Sequence, residues 1–136
     1  MGKKFSYISG AVFVLLWGFT LIHFKDLPAE IPIHYNAKGM PDSFGTRIHI
    51  WGLPIIASLL FVLLNGLQKR KGIQQIEKQL LQWMQLLILG IFTYIQIQTF
   101  FVAVNKSDGL GSWFLPLTIF GFIAPIVWVI RKQQQS

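Results

Sequence analysis

The stretch Gln79–Asn105, QLLQWMQLLILGIFTYIQIQTFFVAVN, carries no Lys, Arg, Asp or Glu. An α-helix needs about 20 such residues to cross roughly 30 Å of hydrocarbon. This stretch therefore predicts a membrane span, with a core at about Leu81–Val104. Its polar residues are not scattered. Gln82, Gln85, Thr93, Gln96 and Thr99 recur at helical spacing and fall on one stripe. Amides at bilayer depth face protein or water rather than lipid. The stripe is thus expected to bond to neighbouring helices or to line a solute path. Upstream, Ile73, Ile76, Leu80, Met84 and Leu87 continue the period. A helix from Ile73 to Val104 would be about 48 Å long, so its first turns should project beyond the hydrocarbon.

Working outward, three more uncharged stretches appear: Phe5–Phe24, Ile48–Gln68 and Gly109–Ile130. They give span cores at about Tyr7–Phe24, Ile48–Leu67 and Trp113–Ile130. No small-x-small cleavage site follows the first, so it reads as a helix and not as a signal peptide. The whole chain agrees. It has 136 residues, of which 53% are hydrophobic and only 12% charged. A soluble fold this small cannot bury so much apolar surface. The expectation is an all-α integral membrane protein: one four-helix domain over residues 1–136, with one structured loop, residues 25–47, between helices 1 and 2.

Orientation is read from Lys and Arg. Lys3, Lys4, Lys69, Arg70, Lys71, Lys78, Arg131 and Lys132 fall on one side; Lys25, Lys38, Arg47 and Lys106 fall on the other. Both termini should be cytoplasmic, the 25–47 loop extracytoplasmic, and the protein a multi-pass resident of the cell membrane. The net charge of +7 then reflects topology and anionic lipid. No basic stripe with interleaved aromatics points to nucleic acid.

Boundaries have local marks. Asp26-Leu27-Pro28 should end the first helix, because the residue before Pro disfavours the α region. Thr46 and Ser112 are candidate N-caps. Pro54 and Pro125 lie inside spans, where Pro kinks a helix.

The 25–47 loop reads KDLPAEIPIHYNAKGMPDSFGTR. Ile31, Ile33 and Tyr35 alternate with Glu30, Pro32, His34 and Asn36, which predicts a short extended segment with His34 and Asn36 on one face. Gly39 suits a turn at positive φ. Pro41-Asp42 suits a second turn. His34, Asn36, Gly39, Asp42 and Arg47 are the candidate binding residues, with Arg47 expected to pair with Asp42 or with lipid phosphate.

The pattern Pro28-x-x-Ile31-Pro32-x-His34-Tyr35-Asn36-x-x-Gly39-x-Pro41-Asp42-x-Phe44-Gly45-x-Arg47, followed directly by a span, resembles the family called domain of unknown function 1648. The resemblance covers about residues 9–64. Phe44 stands where Trp is frequent and Arg47 where Lys is usual. The domain also occurs in relatives of the immunity protein against the sporulation-delaying toxin of bacilli. The resemblance implies a bacterial membrane protein and supplies no reaction.

Chemistry-bearing combinations are sparse. With no cysteine, thiolate metal sites, disulfides and cysteine nucleophiles are excluded. His23, His34 and His49 with Asp26, Glu30 and Asp42 lack metal-site spacing such as HExxH, so no metal and no cofactor is expected. Ser43, His34 and Asp42 lack a nucleophile elbow, so no catalytic residue is assigned. The expectation is a non-enzymatic recognition, immunity or signalling module acting through its loop on a peptide or membrane-protein partner. The alternative is a small transporter or channel subunit lined by the third helix. Four helices can bundle alone, which leaves oligomerisation open.

Overall fold

The computed structural model describes residues 2–136. Four helices are long and apolar enough to cross a membrane: α1 (Gly2–His23), α2 (Gly52–Gln68), α3 (Gln75–Ala103) and α4 (Phe114–Gln134). The protein is multi-pass, as the four uncharged stretches require. It is not all-α. The segment between α1 and α2 holds an antiparallel hairpin, β1 (Glu30–Tyr35) and β2 (Pro41–Thr46).

Each boundary has a physical cause. α1 tightens into a 3₁₀ turn at Phe24–Asp26, and Leu27, preceding Pro28, is extended at φ −73°, ψ 138°. α2 is preceded by a 3₁₀ turn, Arg47–Trp51. Pro54 therefore falls in the first turn of α2, where backbone N–H groups have no helical partner; it is not the mid-span interruption expected from its position. Thr46 precedes the 3₁₀ turn, but its hydroxyl meets His49 Nδ1 at 3.2 Å instead of capping backbone. Ser112 is not a cap either: Gly111 takes φ 93° and α4 begins after Trp113. α3 starts at Gln75 rather than Ile73, where the Gln74 N–H donates to Glu77 Oε2 at 3.1 Å. At 29 residues it is about 43 Å long and outreaches the hydrocarbon.

α3 is the spine. It packs against α1, α2, α4 and β1, whereas α4 packs mainly on α3. Leu16, Ala57 and Leu89 form one buried cluster, beside the stacked rings of Phe13 and Phe61 at 4.6 Å. Leu27, Ile31 and Ile50 form a second at the hairpin end, joined by Phe24, Trp51 and Phe100. Trp17 Nε1 donates to Ser58 Oγ at 3.0 Å, tying α1 to α2.

The hairpin departs from simple alternation. Its register pairs Pro32 with Phe44 and His34 with Ser43, so Ile33 is an extra residue on β1; Asp42 is the extra residue on β2. A bulge of this kind changes the face that later side chains occupy. Ile31 is 1% exposed and Ile33 43%, although the sequence places them on one face. The second turn expected at Pro41-Asp42 is absent. Asn36 Oδ1 accepts the N–H groups of Lys38 and Met40 at 2.9 and 3.0 Å, and Gly39 takes φ 77°. The reversal is complete by Met40, and Pro41 already belongs to the return strand. A two-stranded ribbon is all edge, where a missing N–H is tolerated.

Candidate functional site beneath the hairpin

The loop residues expected to act as one polar group occupy three places. His34 Nδ1 lies 2.6 Å from Asp42 Oδ1, an exposed pair across the hairpin. Asn36 and Gly39 build the turn. Arg47 does not meet Asp42. Its Nη1 donates to Leu27 O at 3.4 Å and its guanidinium lies 5.4 Å from the Phe24 ring centre. The bulge explains the exchange of partners, since it turns Asp42 toward His34 and leaves Arg47 at the far end of the ribbon. Among the described residues, no three His, Asp or Glu side chains converge as a metal site would require.

All five stripe residues of α3 are buried. Gln85 bonds to Gln68 of α2. Thr93 donates back to Leu89 O at 2.8 Å. Gln96 Nε2 donates to Thr20 Oγ1 of α1 and to Ile50 O, both at 2.8 Å. Thr99 Oγ1 meets the Tyr35 hydroxyl of β1 at 2.9 Å. Gln82 lies near the start of α1, close to Gly2. Gln98, off the stripe, bonds to Ser107 of the α3–α4 loop at 3.0 Å. The stripe thus ties α3 to both helices before it and, at its hairpin end, to β1.

That end holds a cavity of about 530 Å³. β1 and Gly39 form its roof, and Ile95, Gln96 and Thr99 of α3 its floor. Leu53 and Ile56 of α2 form one wall; Phe114 and Leu115 of α4 form the other. α2 and α4 flank α3 with little packing between them, which leaves a slot on that side of the chamber. The tip of the roof is pinned: Leu110 N donates to Gly39 O at 2.7 Å, and Tyr94 Oη donates to Leu110 O at 2.8 Å. A Cβ on Gly39 would strike the Gly111 backbone. Burial raises the Tyr35 pKa above the ordinary 10.0, with the Thr99 bond opposing in part. The phenol stays a neutral hydroxyl at physiological pH.

Sequence reasoning on separate segments missed this chamber. Tyr35 was visible as an apolar position and a motif residue, but its partner Thr99 lies 64 positions away. Gly109 was read only as the start of the fourth uncharged stretch, with no hint that Leu110 docks on Gly39.

The hairpin and the helix ends that carry it are also what other proteins share. Residues 11–57 match the family described as Domain of unknown function (DUF1648). An uncharacterized protein of Archaeoglobus fulgidus is 34% identical over 58 residues, covering 43% of this chain. The chain spans about a third of that relative's length, 32%. No solved structure matches.

Proposed function

We infer that the protein is a non-enzymatic recognition module of the cell membrane, and that the chamber beneath the hairpin is where it holds its ligand. The observation that carries this reading is the chamber itself: a half-enclosed space of about 530 Å³, apolar on its walls and polar at its inner end. That is the size and make-up of a small-molecule site. The likeness of the hairpin motif to that of immunity-type membrane proteins supports recognition as the task. A conduit along α3 draws less support, because the packed layer of Leu16, Ala57 and Leu89 closes the bundle below the chamber.

Native mass spectrometry of protein released from membranes tests the reading. The wild type should carry a single small adduct. Ile56→Trp, which fills the chamber, should fold and lose it; an adduct-free wild type would sink the proposal. From the positive-inside bias we further propose that the hairpin lies outside the cell. In this cysteine-free chain, Lys38→Cys should react with an impermeant maleimide on intact cells and Lys71→Cys should not. The reverse pattern would turn the molecule over.

A further inference from the structure

The inner end of the chamber has a definite hydrogen-bond valence. Ile50 O can only accept, so the nitrogen of the Gln96 amide must face it. Thr20 Oγ1 spends its own proton on Leu16 O at 2.8 Å and so also accepts from Gln96. Both N–H groups of the amide are therefore used. Among the described residues nothing donates to Gln96 Oε1. The side chain is 2% exposed, lines the chamber, and leaves no polar atom sealed from accessible space. Gln96 lines two spaces, this chamber and a void of about 10 Å³ beside Thr20 and Ile50, and only the chamber has room for a partner to its free acceptor.

One helical turn away, Tyr35 and Thr99 share a single hydrogen bond between two hydroxyls. One O–H proton of the pair is left over. The two positions, i and i+3 on α3, present their groups about 5–6 Å apart at Cβ, within reach of one bridging atom. The site thus asks for a group that donates once and accepts once through the same oxygen.

We propose that the chamber takes an uncharged, long-chain alcohol from the bilayer, its hydroxyl bridging Gln96 Oε1 and the Tyr35–Thr99 pair. The proposal rests on the recognition reading above and names its ligand class. A carboxylate or phosphate ester fits poorly. An anion brings no proton to Gln96 Oε1, and the lining contains no Lys or Arg to balance it. The two histidines of the lining commit Nδ1, His34 to the Asp42 carboxylate and His49 to Thr46 O at 2.9 Å, so Nε2 of each neutral ring is an acceptor and offers an anion no proton. A transmembrane helix fits poorly as well, since its backbone groups are already satisfied and it is about 10–12 Å wide. The apolar walls accept the alkyl chain, which leaves through the slot between α2 and α4.

The test uses full-length protein in phosphatidylcholine nanodiscs and a hexadecan-1-ol probe carrying a diazirine on its chain. The probe should label α2 near Leu53 or α4 near Phe114. Unlabelled hexadecanol should compete about tenfold better than its methyl ether, which lacks the proton, or than hexadecyl phosphate. Gln96→Leu should abolish the preference of alcohol over ether. Because Gln96 also holds α1 and the chain at Ile50, Thr99→Val serves as a milder variant that keeps a β-branched residue in α3; it should cut the preference several-fold with an unchanged melting profile. Equal competition by all three head groups, with the chamber still labelled, overturns the alcohol assignment and leaves the recognition reading standing. Preference for the phosphate overturns it in favour of an anionic ligand. No label in the chamber from any probe overturns both.

Discussion

α3 and α4 are both apolar enough to span a bilayer, yet α3 buries six residues inside the protein and α4 one. The difference lies in a handful of polar side chains. α3 buries three glutamines and two threonines; the only buried residue of α4 is Val129. In lipid, apolar side chains gain little by leaving one hydrocarbon surface for another, so packing, small residues and hydrogen bonds decide which helix is central. Hydropathy identifies what crosses the membrane; the polar positions identify the spine.

Four substitutions probe that contrast, and the first should have the largest effect. Gln96→Leu removes two bonds to other segments and leaves Ile50 O without its donor. It should destabilise the bundle by about 1–3 kcal/mol, read as a lower detergent denaturation midpoint. Gln98→Leu, which loses only the Ser107 contact, should cost less; the opposite ranking would displace the stripe as the organising feature of α3. Next comes Gly39→Ala. Its positive φ and its closeness to Gly111 should cost about 1 kcal/mol or more and speed hydrogen exchange at the Leu110 amide. Unchanged exchange would mean that the hairpin tip does not hold the α3–α4 loop. The smallest effect belongs to Phe120→Ala on the exposed side of α4, within about 0.5 kcal/mol of wild type. A large loss there would make α4 a packed helix and erase the contrast.

The spans were legible because charges punctuate them, and the bonding role of α3 was half legible because five polar residues share one face, a pattern that fits helix contacts and a solute path alike. The hairpin was half legible. Positions 31–36 read as extended, but Pro41-Asp42 are turn formers by type, and only the early reversal built by Asn36 and Gly39 shows that no turn is needed there. The bulge at Ile33 has no signature in residue type, so the sequence paired Asp42 with Arg47 when the folded ribbon gives it to His34. The chamber was not legible at all. It arises from a gap between α2 and α4 and from a bond between Tyr35 and Thr99, relations that no local pattern encodes.

The backbone bond from Leu110 to Gly39 also sets an order of assembly. Leu110 follows Gly39 by 71 positions, with α2 and α3 in between. At ~5–20 residues per second of synthesis, the hairpin tip waits roughly 4–14 s for its partner to be made. Until then β1 has neither Thr99 beneath it nor Leu110 beside it. A nascent chain inserted as far as α2 carries a ribbon with no floor, and the chamber comes into being only after the third span has entered the membrane.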